Sequence, residues 1–359
     1  MATINKINTI SFKGQAFYIG IDVHKKHWLV TIRSNKLELK TFRMAPVPEA
    51  LALYLSKNYP EGYYNSVYEA GFSGFWIGEE LKKHNINNII INAPDVPTSH
   101  KEKVTKTDKV DSRKLARELE NNSLMPLYIP AKDMEDLRSL CRLRNTLSRE
   151  VTRIKNRIKS YIYMSGTHFH HNFEVTHWSR NFINKLEKLC SDTPSGDYLK
   201  LCLESLEYRR KLLTDTTKKL RSYCYSNDKH SRVIDKLISI PGIGFLTAAT
   251  LYTELIDINR FPTLDKVCSY IGLVPGSHES GDKNKSNSIT PRKNCKIKYA
   301  LIEAAWIAVA KDPALLKSFS ELSKRMRKTQ AIIKIAKKLL NRVRYVWKHD
   351  TYYKYSIAK

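Results

Sequence analysis

The first 130 residues alternate short apolar runs with amphipathic stretches. Apolar runs separated by polar turns predict five strands, at residues 17–23, 28–32, 37–42, 65–69 and 88–92. The first three follow one another closely, which indicates an antiparallel meander. Helical periodicity is found at residues 47–58, 74–84 and 108–120. Strands that alternate with helices are typical of a layered α/β fold, which is the fold class predicted for residues 1–130.

A seven-residue apolar repeat begins after Asp133. Leu140, Leu147, Ile154 and Tyr161 share one position of the repeat, and Leu137, Val151 and Ile158 occupy the companion position, which Arg144 interrupts. This spacing predicts a long helix over residues 135–163. Residues 197–226 predict a return helix, so that residues 131–230 would form an antiparallel coiled-coil hairpin. The same seam is also suited to self-association.

The remaining residues, 231–359, predict a mainly α domain. A Pro-Gly-x-Gly turn precedes a predicted helix at residues 247–255, and such a turn can aim backbone amides at a phosphate. A polar stretch at residues 276–294 is predicted to be a loop. An apolar helix at 296–310 and a basic amphipathic helix at 329–348 follow.

The excess of basic residues in the chain indicates which class of partner it binds. The chain of 359 residues has 62 Lys and Arg against 35 Asp and Glu, a formal net charge of +27. This excess favours a nucleic acid, whose phosphates the basic residues would neutralise. A basic membrane-surface protein is the competing interpretation, but the sequence has no apolar stretch of transmembrane length and no signal-peptide pattern. No membrane partner is therefore expected.

Four carboxylates in this basic chain suggest a metal site. Asp22 and Glu69 each follow an apolar, strand-like run, and Asp108 and Asp111 are three residues apart on a predicted helix, where they share one face. Each residue alone is usually a cap or a solvated charge. Together they have the layout of a ribonuclease-H-like nuclease, in which two Mg²⁺ ions act on a phosphodiester.

Basic residues near the Asp108–Asp111 pair and near Ser280 are candidate phosphate contacts, although a solvated basic face would give the same pattern. Those near the Asp pair are Lys101, Lys103, Lys106, Lys109, Arg113 and Lys114. Lys283 and Lys285 flank Ser280 in the polar stretch, where composition alone makes Ser280 an ordinary serine.

Two other groups of residues carry no predicted chemistry. None of the six cysteines forms a Cys-x-x-Cys pair, so we expect reduced thiols in a cytoplasmic protein. His168, His170, His171 and His177 lie in an aromatic stretch without a recognisable zinc spacing, and packing or surface roles are favoured.

The chain resembles the DEDD transposases of the "one-ten" insertion-sequence family over nearly its whole length. The N-terminal resemblance is carried by Tyr-Ile-Gly-Ile-Asp22-Val-His-Lys, Tyr-Glu69-Ala-Gly-Phe and Thr-Asp108-Lys-Val-Asp111-Ser-Arg-Lys-Leu-Ala. The C-terminal resemblance is carried by Ile-Pro-Gly-Ile-Gly-x-x-Thr-Ala, Ile-Gly-Leu-Val-Pro, Glu-Ser280-Gly and Ile289-Thr290. Residues 291–298 depart from the family pattern, because the Gly of its usual Lys-x-Gly-Asn run is missing.

This resemblance implies a function and an assembly. Residues 1–130 would be a RuvC-like domain that binds Mg²⁺, and residues 231–359 a transposase domain with Ser280 as its nucleophile. The carboxylates and the serine would come from different subunits of a homodimer or homotetramer. Its partners would be donor DNA, target DNA and a structured guide RNA, in the cytoplasm of a prokaryote and associated with its nucleoid.

Two other functions fit the same residues. A RuvC-like nuclease or junction resolvase would use the carboxylates alone, and would therefore keep cutting DNA after Ser280→Ala. A non-catalytic nucleic-acid-binding protein would show no Mg²⁺-dependent cleavage for Asp22→Ala to abolish.

Overall fold

A computed structural model describes residues 11–98, 107–166, 177–190, 193–280, 283–289 and 294–355. Contacts divide the chain into two compact units, residues 1–129 and 130–359. In the described part of the chain, the first unit is built on a five-stranded sheet and the second is mainly helical. Residues 131–230 as a separate domain stay a prediction.

The sheet of the first unit combines a meander with two parallel strands. The strands are β1 (Ala16–Val23), β2 (Trp28–Ser34), β3 (Leu37–Met44), β4 (Tyr63–Glu69) and β5 (Ile86–Ile91). Their spatial order is β3-β2-β1-β4-β5. β2 is antiparallel to both β1 and β3, whereas β4 is parallel to both β1 and β5. The predicted meander is confirmed. The carboxyl ends of the parallel strands β1 and β4 lie side by side at the same end of the sheet.

Helices cover both faces of this sheet. They are α1 (Pro48–Asn58), α2 (Trp76–Lys83) and α3 (Asp108–Glu120), close to the predicted ranges. Ile21 belongs to one buried cluster with Leu51 of α1 and Leu81 of α2, and Val67 belongs to another with Leu115 of α3. Because successive side chains of a strand face opposite sides, alternate residues of β1 and β4 face α3.

The second unit contains nine described helices and one β-hairpin. The helices are α4 (Lys132–Met164), α5 (Arg180–Glu187), α6 (Pro194–Tyr225), α7 (Asp228–Ile238), α8 (Phe245–Leu255), α9 (Leu264–Ile271), α10 (Cys295–Lys311), α11 (Pro313–Ser323) and α12 (Lys328–Lys348). The hairpin pairs β6 (Pro275–Ser280) with β7 (Lys283–Ile289) in antiparallel fashion.

Helices α4 and α6 form the predicted antiparallel hairpin. The Tyr161 and Tyr198 rings meet with centroids 4.6 Å apart, and the Arg144 Nε donates to Thr217 Oγ1 at 3.5 Å farther along the pair. Most seam residues are buried, including Leu137, Leu147, Val151, Ile154 and Ile158. The seam is therefore used within the chain, and self-association stays a prediction.

Helix α8 lies at the centre of the second core. Ala248, Ala249 and Leu251 are fully buried in one cluster with residues of α7, α10 and α12. Gly242, in the turn before α8, has a φ of 86°, and an added Cβ would lie 2.8 Å from the backbone nitrogen of Ala308. The Pro-Gly-x-Gly turn thus brings this segment close to the backbone of α10.

Parts of the sequence prediction for this unit were wrong. Residues 276–294 were predicted to be a loop, but β6 and β7 occupy most of that stretch. The available signal was Gly281-Asp282 between two polar runs, a composition typical of two-residue hairpin connections. Helices α5, α7, α9 and α11 were not predicted. Across the described residues, no helix has the length and apolar character needed to cross a membrane.

Candidate active site

Two of the predicted carboxylates lie on neighbouring parallel strands. Asp22 is near the end of β1, and Glu69 is the last residue of β4. Ile21 pairs with Tyr68, so the same register continued by one residue places Glu69 beside Asp22. Both follow residues whose side chains are buried against α1 and α2, and strand alternation therefore directs both carboxylates toward the face that α3 covers.

Helix α3 brings the other two carboxylates to this face. The Thr107 side chain accepts a hydrogen bond from a first-turn amide at 3.4 Å, and the helix begins so that Asp108 and Asp111 fall in its first turn. Gly20 permits the close approach of this helix, because a Cβ there would lie 2.5 Å from the backbone nitrogen of Ala116. The absence of a side chain at Gly20 thus positions the Asp pair next to β1.

His24 joins the strand carboxylate to the helix carboxylate. Its Nε2 lies 3.0 Å from Oδ2 of Asp22 and 3.5 Å from Oδ2 of Asp108. His24 begins the turn between β1 and β2, and its ring stacks on that of His27 with centroids 5.0 Å apart. Neither histidine was singled out from the sequence. The signal that could have found them is their three-residue spacing in the short turn that follows Asp22.

The electrostatics of Asp22 favour a cation. Burial is the main cause that raises the pKa of Asp22 above its ordinary 3.8, and the negative charges of Asp108 and Asp111 raise it further. The hydrogen bond and charge of His24 oppose these effects only in part. Carboxylate oxygens are the donors that Mg²⁺ prefers. The donor set therefore fits a hard divalent ion, which would relieve this repulsion.

Asp22→Asn is expected to stabilise the metal-free protein. The ionised carboxylate is disfavoured in the fold, so its removal should raise the free energy of unfolding at neutral pH by about 0.5–2 kcal/mol. Because the folded pKa is raised, the cost of Asp22 appears as pH rises from 3.8 through the folded value, and the gain should vanish below 3.8. Denaturant titrations of Asp22→Asn and wild type in EDTA, at neutral pH and below pH 3.8, measure the difference in their free energies of unfolding. A loss of stability at neutral pH would mean that Asp22 is a structural residue.

The basic candidates around α3 have different environments. Lys109 is exposed, and the exposed Arg113 donates through Nε to Glu38 at 2.9 Å. Lys114 is buried and its Nζ donates to Oδ1 of Asp111 at 3.1 Å. Its charge therefore neutralises a carboxylate, and phosphate contact by any of the three stays a prediction. Lys101, Lys103 and Lys106 lie outside the described residues, as do His168, His170 and His171.

Ser280 is the last residue of β6 and pairs with Lys283, the first residue of β7. Lys285 pairs with His278 in the same hairpin. Ser280 and the two lysines are thus collected at one hairpin. Phosphate contact by Lys283 and Lys285, and the role of Ser280, stay predictions.

A polar network centred on the buried Glu254 includes Asn294, which follows β7 in the chain. Glu254 of α8 accepts two hydrogen bonds from Arg142 of α4, at 2.7 and 2.8 Å, and one from Asn294 at 3.0 Å. The Asn294 side chain also caps α10, which follows β7 in the chain. Burial raises the pKa of Glu254, but these hydrogen bonds and the charges of Arg142 and Lys296 outweigh it, and the net pKa is lowered. The chain that leaves the hairpin is therefore anchored to two helices through an ionised carboxylate.

Two family models match different parts of the chain. A DEDD transposase family model matches residues 19–164, which include the four candidate ligands Asp22, Glu69, Asp108 and Asp111. A model described as the transposase IS116/IS110/IS902 family matches residues 234–321, which include Ser280. Together the two models span more than half of the chain.

Individual proteins are also similar to this chain. Protein y4rJ of Sinorhizobium fredii strain NGR234 is 25% identical over 362 aligned positions, covering 90% of each chain. The transposase for insertion sequence element IS1111A of Coxiella burnetii is 26% identical over 209 positions, 56% of this chain and 55% of that protein. A pilin gene-inverting protein of Moraxella lacunata is 27% identical over 241 positions, 66% and 64% of the two chains.

Proposed function

The chain belongs to the IS110 family of insertion-sequence transposases, and we propose that it recombines DNA through a phosphoserine intermediate at Ser280. Transposases of this family cleave and rejoin DNA, and DEDD transposases generally use divalent metal ions. We propose Mg²⁺ as that ion and Asp22, Glu69, Asp108 and Asp111 as its ligands.

The observation that supports the proposal is the placement of Asp22 and Glu69 near the ends of neighbouring parallel strands, beside the first turn of α3. Asp22 and Glu69 come from parallel strands in register, and Asp108 and Asp111 come from the first turn of the helix packed on them. All four belong to rigid elements, which suits residues that must keep a fixed geometry. When bound, Mg²⁺ would supply charge that stabilises the phosphate oxygens and the leaving oxygen.

The serine step conserves the energy of the phosphodiester bond, because a new bond from phosphorus to serine replaces the one that breaks. The Ser280 Oγ would attack phosphorus and lose its proton, while the bond from phosphorus to one DNA oxygen breaks and that oxygen takes up a proton. A DNA hydroxyl from the other DNA would then attack the phosphoserine phosphorus and lose its proton, while the bond to the Ser280 oxygen breaks and that oxygen takes up a proton. This step joins the new ends and restores the free serine. Lys283 and Lys285, in the same hairpin, would hold the negatively charged phosphate.

Nucleic acids are the proposed partners at each stage. The charge of +27 supports binding of donor and target DNA through their phosphates. An RNA encoded by the element would select the two DNAs, and its phosphates would be neutralised by the same excess of basic residues. A homodimer or homotetramer would bring Ser280 of one subunit to the carboxylates of another.

The proposal is tested by trapping the intermediate. Wild-type protein incubated with donor DNA, target DNA, the element's RNA and Mg²⁺ should yield a protein–DNA band on a denaturing gel. Peptide mapping should place the DNA adduct on Ser280, and EDTA should prevent its formation. An adduct on another residue, or strand exchange with no adduct, would contradict the proposal.

A nuclease that uses only the carboxylates is the second candidate. It is favoured by one observation, that the four candidate ligands all belong to the first compact unit. Hydrolytic nicking without rejoining or adduct, lost in Asp22→Ala, would support this candidate instead.

A further inference from the structure

The turn between β1 and β2 holds two imidazoles next to each other. The backbone N–H of His24 donates to the carbonyl oxygen of His27 at 3.1 Å, which closes the turn. The two rings stack at an interplanar angle of 23°. Both histidines are half-buried, and Trp28, directly after His27, is fully buried in the core. The turn is therefore a fixed platform for both rings.

Asp108 adds a carboxylate from a different element. One ligand atom from each of His24, His27 and Asp108 can be chosen so that all three lie within 4.8 Å of one another. Asp108 itself is exposed, so solvent reaches the group from the helix side. Two ring nitrogens and one carboxylate oxygen at such separations can surround a single ion after small side-chain rotations.

We propose that His24, His27 and Asp108 bind a transition-metal cation of the Zn²⁺ class. Imidazole nitrogen suits Zn²⁺ and its neighbours in the first row, whereas Mg²⁺ prefers oxygen donors. Three protein ligands plus open positions for water are typical of accessible zinc sites. The site is chemically distinct from the group of four carboxylates, although it shares Asp108 with it.

Arg43 sets the affinity of this site. Its guanidinium nitrogen lies 2.9 Å from Nε2 of His27, and a positive charge so close opposes the binding of a cation. Arg43 is exposed on the edge strand β3, so it can move toward solvent when the cation binds. The site should therefore be of moderate affinity and respond to the concentration of the metal.

Occupation of the site would inhibit DNA cleavage. This consequence rests on the proposed function, because it requires Asp108 to serve the Mg²⁺ site. A cation held by His24 and His27 would draw Asp108 away from Asp22 and Asp111. Zn²⁺ would then act as a competing regulator of a Mg²⁺-dependent reaction.

Binding is tested with Co²⁺ alone, because Co²⁺ held by a few protein ligands absorbs visible light much more strongly than the aqueous ion does. Wild-type protein should give a saturable spectrum that excess Zn²⁺ removes. His27→Ala should weaken binding at least about tenfold, the scale for losing a partner of a metal site. Arg43→Ala should tighten it. His84→Ala is the matched control in the same unit and should bind as wild type does.

These outcomes decide the proposal without any activity measurement. No Co²⁺ spectrum in wild type, or an equal affinity in His27→Ala with native circular dichroism, overturns it. Because Arg43→Ala predicts tighter binding, a misfolded variant cannot imitate that result, and weaker or unchanged binding there also counts against the site.

A separate assay of Mg²⁺-dependent DNA cleavage tests whether Zn²⁺ at this site inhibits the reaction. Inhibition by Zn²⁺ in wild type, relieved in His27→Ala relative to its own zinc-free rate, supports it. Cleavage of equal Zn²⁺ sensitivity in both proteins refutes inhibition through this site, whereas no cleavage by either protein is a failure of the proposed function.

Discussion

Ser280→Ala is expected to eliminate the covalent protein–DNA species and to lower strand exchange by at least about 10³-fold, the scale of losing a catalytic nucleophile. Alanine lacks the oxygen that would bond to phosphorus. The affinity for DNA should change by less than about 0.5 kcal/mol, because one hydroxyl adds little to an interface dominated by phosphate contacts. Ser280 ends β6, and a strand backbone accepts alanine, so the hairpin should persist.

The matched control for this substitution is Ser286→Ala. Ser286 lies on β7, opposite Ser277, so the same change is made in the same hairpin. This variant should keep both the adduct and strand exchange. Denaturing gels measure the adduct, and a titration of labelled DNA measures binding. An adduct that survives in Ser280→Ala would refute the assignment of the nucleophile. Nicking that survives without an adduct would instead point to hydrolysis by the carboxylates.

Gly20→Ala should lower both stability and activity. The added Cβ would lie 2.5 Å from the backbone nitrogen of Ala116 and closer still to the carbonyl oxygen of Ser112. Neither backbone atom can rotate away, so α3 must shift from β1. Overpacking of this kind costs about 1–3 kcal/mol, occasionally more. A shift of about 1 Å in the helix that bears Asp108 and Asp111 should reduce DNA cleavage by about 10²-fold.

Gly71→Ala separates this clash from a general effect of replacing glycine. An added Cβ at Gly71 would have its nearest neighbour, the carbonyl oxygen of Glu69, at 4.0 Å, and its φ is not positive. Its free energy of unfolding should therefore stay close to that of wild type. Denaturant unfolding of both variants makes the comparison. Equal stability of Gly20→Ala and wild type would show that α3 does not need the close approach.

Local patterns in the sequence were sufficient to predict the elements that carry the carboxylates. The apolar runs before Asp22 and Glu69 predicted β1 and β4, and helical periodicity over residues 108–120 predicted α3 with the bounds that it has. Their meeting depends on strand order and register, which no local pattern encodes. The resemblance to a known family supplied that information, and it also supplied the prediction that Ser280 is the nucleophile.

What the sequence did not indicate depends on contacts between distant residues. His24 bears on the site because Asp108, 84 positions later, lies within 3.5 Å of it. Gly20 in a strand suggested nothing by itself, and its role follows from the helix packed against it. The β6–β7 hairpin was missed because its strands lack an apolar alternation, which is the signal that normally identifies a strand.

Both edges of the five-stranded sheet carry features that hinder pairing with other chains. β3 places Glu38, Lys40 and Arg43 along one edge. At the other edge, the backbone N–H of Leu127 donates to the carbonyl oxygen of Ile90 at 2.7 Å, so a segment beyond α3 covers part of β5. Open edges are templates for aggregation, and charged side chains or a covering segment block them. These features therefore hinder the sheets of neighbouring copies from pairing edge to edge when the protein is concentrated.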